Sequence, residues 1–237
     1  KGCDEKALDC LTRSLDIYKE IDNQSGIGRS FNWIGNFYLF KCDYNKALEY
    51  YTSSLSILEE TDDKRGLSSS FDLIGRVYGG QGDYDKALSY HILALEIREV
   101  LGRKVWLFVS YSNLGTIYQY KGEYKQSINY LEKSIDIQND VEGNRLLSDT
   151  TTLFLSYKKV GKKYNKKDIK IIINQKKEYC DFELGYKLYK LLEDTSYLET
   201  AYNQVQEKAD NLESDIAAKF LSYPIPKAIV EEWEKVK

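Results

Sequence analysis

Two short sequence patterns recur in this chain at an interval of 40 residues. The first is an aromatic residue followed by an aliphatic residue, a glycine and a tyrosine at offsets of three, four and seven, at 31–38, 71–78 and 111–118. The second is a charged string that ends in a small and an aliphatic residue, at 41–48, 81–88 and 121–128, with a related string at 1–8. Such self-similarity predicts an array of one structural unit rather than a single thick core.

The spacing within each unit is helical. The offsets of three, four and seven within the first pattern place its four residues on one face of an α-helix. Ala47, Leu48, Tyr51, Ser54 and Leu55 form a second helical stripe after the second pattern. Only two prolines are present, both in the last fourteen residues, so that the chain before Pro224 can be helical without a break. We therefore predict an all-α fold of antiparallel helix pairs, with the glycine of the first helix allowing close approach of the second.

This helix pair resembles the tetratricopeptide repeat. The resemblance covers residues 1–160, where the array begins in the middle of a repeat, and it implies a right-handed α-solenoid. The usual unit has about 34 residues and closes with a proline, whereas here the period is 40 and the proline position holds Glu59, Glu99 and Asn139. The longer unit is similar to the subtype found in kinesin light chain and in bacterial signalling arrays.

The pattern decays after residue 160, and we predict two further regions. Residues 161–212 are expected to be degenerate repeats, with a helix pair at about 182–193 and 196–211. Residues 213–237 are expected to be capping helices, with Pro226 at a first helical position and with Ile229 and Trp233 covering the last repeat. The chain contains no methionine, even at position 1, and we expect it to be a piece of a longer protein.

The resemblance implies that the first helix of each pair lines a concave groove. The residues that this places in the groove are polar, and we predict that they bind an extended or helical segment of a protein partner: Arg29, Asn32, Asn36, Asp72, Arg76, Ser112, Thr116 and Gln119. An asparagine amide can donate to and accept from a peptide bond, and arginine can hold a carboxylate with two hydrogen bonds. The alternative is that Asn32 and Asn36 are ordinary solvated helix residues.

A second candidate surface is basic. Residues 161–180 contain seven lysines against two acidic residues, a net charge of +5, at positions 162, 163, 166, 167, 170, 176 and 177. Lys163, Lys166, Lys167 and Lys170 share one helical face, so that they are able to dock an acidic partner or an acidic domain of the same polypeptide. The alternative is a solvated lysine face.

Composition excludes several classes of function. A net charge of −3 and a pI near 5.5 argue against a nucleic-acid partner, and no apolar run is long enough to span a membrane. Four cysteines without CxxC spacing predict neither a zinc site nor disulfides and favour the cytoplasm. The single histidine, His91, occupies a repeat position and is expected to pack in the core. We therefore expect no catalytic residue, metal or cofactor, and no enzymatic activity.

The leading interpretation is a protein–protein interaction module, the scaffold or regulatory part of a larger bacterial signalling protein. Two alternatives stay open. One is a sensor in which a peptide ligand changes the curvature of the superhelix and so gates an attached catalytic domain. The other is a self-association element that uses the N-terminal helix edge.

Overall fold

The computed structural model describes residues 2–141, 147–175 and 180–237, and within these ranges it contains α-helices and no β-strand. The all-α prediction is confirmed. Thirteen helices lie in the described ranges: α1 Gly2–Glu20, α2 Gln24–Phe40, α3 Tyr44–Glu60, α4 Lys64–Gln81, α5 Tyr84–Leu101, α6 Lys104–Lys121, α7 Tyr124–Val141, α8 Leu147–Val160, α9 Lys166–Gln175, α10 Phe182–Leu192, α11 Thr195–Asp210, α12 Ser214–Ser222 and α13 Pro224–Val236.

The chain divides into two compact units. Unit 1 consists of Lys1–Gly79 and Asp85–Gly102, and unit 2 consists of Gly80–Tyr84 and Arg103–Lys237. Unit 1 therefore holds α1 to α3, most of α4 and nearly all of α5, and unit 2 holds α6 to α13. The division into regions 1–160, 161–212 and 213–237 stays a prediction.

Tight turns between helices recur with the same period as the sequence patterns. The residue in the left-handed region is Cys42, Gly82 or Gly122 after a first helix, and Asp22, Asp62 or Gly102 after a second helix. Glycine adopts this region without steric cost. In unit 1 the turns are followed by side-chain caps, since Asn23, Asp43 and Asp63 accept hydrogen bonds from the backbone N–H groups of Gly26, Lys46 and Gly66. These caps satisfy donors that the first helical turn leaves unpaired.

The glycine of the first pattern permits the close helix packing that the sequence predicts. In each repeat it faces the side chain sixteen positions later, in the second helix. A Cβ atom added at Gly35 would lie 2.5 Å from the Tyr51 ring, one at Gly75 would lie 2.8 Å from the His91 ring, and one at Gly115 would lie 2.5 Å from Leu131. No side chain fits at these distances, so the pairing of the helices depends on glycine.

Tyrosine pairs reinforce the same helix contacts. The tyrosine that ends the first pattern stacks on a tyrosine of the second helix with ring planes within 10° of parallel: Tyr38 on Tyr50 at 5.4 Å, Tyr78 on Tyr90 at 5.6 Å and Tyr118 on Tyr130 at 5.5 Å. Aromatic pairs of this kind add about 0.5–1.5 kcal/mol beyond the burial of their area. The tyrosine content of the chain thus has a structural cause.

The C-terminal part of unit 2 forms the two helices predicted near 182–193 and 196–211, as α10 and α11. Ile229 of α13 is fully buried and Trp233 stacks on Tyr202 of α11 at 5.4 Å, so that α13 covers α11 as predicted. The expectation for Pro226 was wrong, because α13 begins at Pro224. Pro224 takes the first helical position, where a missing N–H has no cost, and Pro226 follows two residues later.

Candidate interaction surface

Asn36 presents a fixed pair of hydrogen-bond donors in unit 1. Tyr51 of α3 is completely buried, and its hydroxyl donates a 2.8 Å hydrogen bond to Oδ1 of Asn36 on α2. That bond determines which end of the amide faces Tyr51, and it leaves the NH₂ group to donate elsewhere. The NH₂ group has no hydrogen-bond acceptor within the described residues, and Asn36 itself is half-buried. The amide is therefore oriented before any partner arrives.

Arg76 of α4 adds a positive charge beside this amide. Burial raises the pKa of the Tyr51 hydroxyl well above its ordinary value, and the charge of Arg76 partly opposes that rise. The hydroxyl therefore stays protonated at neutral pH and remains a donor to Asn36. Arg76 is exposed, and within the described part of the chain its guanidinium has no ion pair or hydrogen bond. The unpaired guanidinium of Arg76 therefore lies within electrostatic reach of the hydroxyl that orients the Asn36 amide.

Arg29 lies seven residues before Asn36 on α2, about 10 Å along the helix axis. Its Nε and Nη2 donate hydrogen bonds of 2.9 and 2.6 Å to Oδ2 of Asp63. The other carboxylate oxygen of Asp63 accepts from the N–H of Gly66 at 3.0 Å and caps α4. Half of the Arg29 side chain remains exposed. The guanidinium is therefore held by Asp63 and is still accessible to a partner.

We call Arg29, Asn36 and Arg76 the polar surface of unit 1. Asn32, four residues before Asn36 on α2, is not part of this surface because its side chain is buried. The Asn32 amide donates to the Ser70 hydroxyl at 2.8 Å, and Ser54 donates to the carbonyl of Gly28 at 2.7 Å within the same cluster. Asn32 therefore joins α2 to α3 and α4, and the structure does not bring it to the polar surface.

Asp72 is also buried rather than open to a partner. Its Oδ1 lies 2.9 Å from Nδ1 of His91, and its Oδ2 lies 3.4 Å from Nη2 of Arg98, both on α5. The His91 side chain is 1% exposed, which confirms its packing in the core. A buried carboxylate needs compensation by opposite charge and hydrogen bonds, and α5 supplies both.

In unit 2 the corresponding residues take part in internal hydrogen bonds. Ser112 donates to Oδ1 of Asp149 at 2.6 Å, and Ser134 and Gln138 donate to Oδ2 at 2.8 and 2.7 Å. Asp149 is 2% exposed. Ser112 is half-buried and its hydroxyl is engaged by α8, so that its main contribution is to join successive repeats.

The two remaining predicted residues of unit 2, Thr116 and Gln119, are half-buried. Among the described residues, the side-chain oxygen of Gln119 is buried and has no hydrogen-bond donor. The next residue, Tyr120, donates a 2.5 Å hydrogen bond to Glu183 of α10. Burial raises the pKa of Tyr120 well above its ordinary value, and the Glu183 carboxylate raises it further. The end of α6 is therefore covered by the protein's own side chains.

Lys163, Lys166, Lys167 and Lys170 are all exposed. The prediction that they share one helical face was wrong, because Lys163 lies in the linker before α9 and only the other three belong to that helix. A hydrogen bond from Lys158 lowers the pKa of Glu193, and the charge of Lys166 lowers it further. Lys166 therefore lies within electrostatic reach of that carboxylate. Lys176 and Lys177, which count toward the net charge of residues 161–180, lie outside the described residues.

Sequence reasoning did not find the roles of Tyr51 and Asp63. In the sequence, Tyr51 belongs to the stripe of the second helix, and neither repeated pattern includes Asp63. One signal was present, because the position of Tyr51 is filled by His91 and Leu131 in the other repeats. A position that varies between a polar and an apolar residue indicates that its environment differs from repeat to repeat.

Two further properties bear on function. Within 2–141, 147–175 and 180–237, no group of three or more histidine, cysteine, aspartate or glutamate side chains is arranged to hold a metal ion. None of the helices in these ranges combines the length and the apolar character needed to cross a bilayer.

Comparison with known families identifies the repeated unit. A tetratricopeptide repeat model matches residues 26–99 and again residues 67–140. The two matches overlap, and together they include both patterns of each complete repeat. Comparison with curated proteins found no match.

Solved structures share the fold. BtubC (BKLC) from P. vanneervenii has a TM-score of 0.62 and 17% identity over 93% of each chain. The apo form of RapI has a TM-score of 0.65 and 15% identity over 96% of this chain and 70% of that one. A kinesin light chain protein of Podosopora anserina with nearly identical TPR-like repeats has a TM-score of 0.53 and 16% identity, over 81% and 90%. At these identities the likeness shows the fold alone, an all-α solenoid.

Proposed function

The chain belongs to the tetratricopeptide repeat family through residues 26–140, and from this premise we propose that it binds a segment of a protein partner at the polar surface of unit 1. Repeats of this family generally mediate protein–protein interaction. The observation that carries the proposal is that Arg76, a guanidinium without a partner in the described residues, lies within electrostatic reach of Tyr51, whose hydroxyl holds the amide of Asn36 in one orientation. Both groups offer donors, and the amide oxygen of Asn36 already accepts from Tyr51.

The chemistry of the surface defines the partner. A guanidinium donates to a carboxylate with two parallel hydrogen bonds, and the Asn36 NH₂ group donates to a backbone or side-chain carbonyl. The segment that fits is therefore an extended one with an acidic side chain or a terminal carboxylate near a free carbonyl. Arg29 can bind a second acidic residue of the partner segment, about two helical turns along α2 from Asn36. Its guanidinium would then bond to that residue and to Asp63 at the same time.

Selection from a random peptide library on the wild-type protein tests this function. We expect the selected peptides to be rich in aspartate and glutamate. Replacing Arg76→Ala removes a charged hydrogen bond, worth about 1.5–3 kcal/mol, and should weaken the selected peptides by about tenfold or more. Asn36→Ala should weaken them less, because the amide is uncharged.

The control is Arg13→Ala. Arg13 is an arginine of α1 whose side chain is 77% exposed, and its Nη1 lies as far as 4.0 Å from Oδ2 of Asp9. Its removal should therefore leave peptide affinity unchanged. Thermal unfolding of each variant verifies that the fold is intact. Equal affinity for wild type and Arg76→Ala, with an unchanged melting temperature, would contradict the proposal.

We propose further that the module is non-catalytic and acts in the cytoplasm, as the scaffold or regulatory part of a larger signalling protein. The described cysteines Cys10, Cys42 and Cys180 form no disulfide with one another, which is usual in a reducing compartment. A partner on the same polypeptide would meet the polar surface at high effective concentration. Peptides from neighbouring domains, tested against wild type and Arg76→Ala, distinguish this arrangement from a separate partner.

A further inference from the structure

Unit 2 contains a cavity of about 310 Å³ beside α7, α8 and the linker between α8 and α9. The fourth repeat departs from the others at this place. The linker has five residues, whereas α2 and α3 are joined by three, and α9 has 10 residues against 17 for α3. The longer linker places Tyr164 and Asn165 in the cavity wall. A volume near 300 Å³ is at the lower end of ligand pockets, so that the cavity suits one small molecule.

The apolar part of the wall is aromatic. The ring of Phe154 contacts two tyrosine rings, with its centre 5.9 Å from that of Tyr157 and 5.2 Å from that of Tyr164. Ile135 and Leu153, both buried, complete this part of the wall. The face of an aromatic ring carries negative partial charge and attracts cations. The wall therefore suits a cation with hydrocarbon substituents.

The charged part of the wall is acidic. The carboxylates of Glu132, Asp136 and Asp168 line the cavity, and the lysine that lines it is Lys163. The formal charge of the lining is therefore −2, which favours a cationic occupant.

The protein already holds one of its own ammonium groups at this wall. Nζ of Lys162 lies 4.2 Å from the centre of the Tyr157 ring and 2.8 Å from Oε1 of Glu132. The Tyr157 hydroxyl donates a 2.5 Å hydrogen bond to the same oxygen. An aromatic face and a carboxylate thus bind a cation together here, and Glu132 is neutralised by that contact.

The other two carboxylates of the wall have no cation beside them. Among the described residues, Asp136 is exposed and forms no hydrogen bond or ion pair through its side chain. Asp168 is half-buried, and its Oδ1 accepts a 3.1 Å hydrogen bond from the Asn165 amide. Its Oδ2 has no partner in the described part of the chain. A carboxylate that is partly withdrawn from water gains from a nearby positive charge.

The lysines around the cavity do not reverse the sign of its charge. Residues 158–170 contain seven lysines, of which Lys163 alone lines the cavity. Lys158 and Lys162 are paired with glutamates, each at 2.8 Å, and the three lysines of α9 are exposed, where water and salt screen their charge. After Lys162 neutralises Glu132, the wall keeps two carboxylates against Lys163 and remains negative.

We propose that this cavity binds a small organic cation, an ammonium group carried on a short hydrocarbon body. The aromatic wall receives the hydrocarbon part, and Asp136 and Asp168 neutralise the charge. The site goes beyond the proposed function, because it takes a small molecule rather than a protein segment and shares no residue with the polar surface of unit 1.

Two pairs of probe molecules test the site. Choline is compared with 3,3-dimethylbutan-1-ol, its uncharged carbon analogue, and butylammonium is compared with butan-1-ol. We expect at least one cation to shift the NMR signals of Phe154 and Tyr164 in a saturable manner, and its uncharged analogue to bind about tenfold more weakly or less well still. The pair that responds distinguishes a quaternary from a primary ammonium ligand. Equal binding of each cation and its analogue, or no binding of either cation, would overturn the proposal.

Variants at the two carboxylates locate the binding. Asp136→Asn and Asp168→Asn should each weaken the cation by about twofold to fivefold, the worth of one partly exposed charge pair. The matched control is Asp215→Asn, which removes an exposed carboxylate of α12 that does not line the cavity and should have no effect. Thermal unfolding verifies that each variant is folded. Unchanged affinity in both Asp136→Asn and Asp168→Asn would contradict the site.

Two further variants fix the sign of the charge and the role of the aromatic wall. Lys163→Gln removes the positive charge of the lining, so that the cation should bind up to about threefold more tightly. Tyr164→Leu keeps an apolar side chain without an aromatic face, and it should weaken the cation by about twofold or more. Weaker binding in Lys163→Gln would indicate an anionic ligand and refute the proposal. Arg76→Ala should leave the affinity unchanged, which separates this site from the proposed function of unit 1.

Discussion

The same repeat positions have different surroundings in the two units. Asn32 in unit 1 and Ser112 in unit 2 occupy one repeat position, and both bond to the next first helix, to Ser70 and Asp149 respectively. The position four residues later varies, because it is exposed at Arg76 but half-buried at Asn36 and at Thr116. One position of the pattern therefore joins repeats wherever it occurs, and the other is available to a partner only where nothing covers it.

The buried acids of the two units differ in their compensation. Asp72 faces His91 and the guanidinium of Arg98, whereas Asp149 accepts hydrogen bonds from neutral serine and glutamine side chains. Removing a charged partner from a buried pair is more costly than removing an acceptor from neutral donors. The units should therefore respond unequally to loss of the acid.

The largest expected effect is on the free energy of unfolding after Asp72→Ala. Arg98 would keep a buried charge without this carboxylate, which costs about 3–5 kcal/mol. Asp149→Ala should cost about 1–3 kcal/mol, because the groups left behind are uncharged. Urea denaturation measures both losses.

Asp136→Ala is the control for these two variants, since an exposed substitution changes stability by less than about 0.5 kcal/mol. Equal losses for Asp72→Ala and Asp149→Ala would show that the charge of Arg98 is balanced mainly by other groups.

The second effect concerns the glycines at the helix contacts. Gly35→Ala and Gly115→Ala should each cost about 1–3 kcal/mol, because the new methyl group overlaps Tyr51 or Leu131. Only Gly35→Ala should also shift the NMR signals of the Asn36 side-chain amide. The methyl group displaces Tyr51, which is hydrogen-bonded to that amide, whereas Leu131 forms no hydrogen bond through its side chain.

Gly185→Ala provides a milder comparison in unit 2. Its Cβ would lie 3.3 Å from Cβ of Ala201, a contact that small movements can relieve, so we expect a loss below about 1 kcal/mol. A shift of the Asn36 amide signals in Gly115→Ala would remove the distinction between the units.

The third effect is a loss of stability at alkaline pH. Burial raises the pKa of Tyr51 and of Tyr120, so that above about pH 10 the unfolded chain releases these protons and the folded chain keeps them. The folded state then binds more protons, and stability falls by up to about 1.4 kcal/mol per pH unit for each phenol.

Phenylalanine variants assign this loss to each unit. Tyr120→Phe and Tyr51→Phe should each remove one phenol from this loss and flatten the alkaline slope by a similar amount, because burial holds the folded-state pKa of both hydroxyls well above its ordinary value. Denaturation midpoints from pH 8 to pH 11 give the slopes. Parallel curves for wild type and Tyr120→Phe would contradict the assignment.

The sequence predicted the repeats, the helix pairs and the glycine contacts, because each depends on local spacing. It did not distinguish exposed from buried groove positions. Asn36 and Asn32 are four residues apart on one helix, and which of them faces solvent depends on Ser70 and Tyr51, which lie far away in sequence.

The smallest effect separates two ion pairs that differ in exposure. In unit 1 Arg29 bonds through two nitrogens to Asp63, whose side chain is 9% exposed, whereas in unit 2 Lys104 and Asp140 are 3.4 Å apart and about two-thirds exposed. Asp63→Asn keeps an oxygen to cap α4 and removes the charge, and it should cost about 0.2–1 kcal/mol. Asp140→Asn should have no measurable effect. Because salt screens exposed charges, the loss in Asp63→Asn should shrink in about 0.5 M NaCl. A loss that salt leaves unchanged would mean that Asp63 stabilises unit 1 through the helix cap rather than through Arg29, and the guanidinium would then be free to bind a partner.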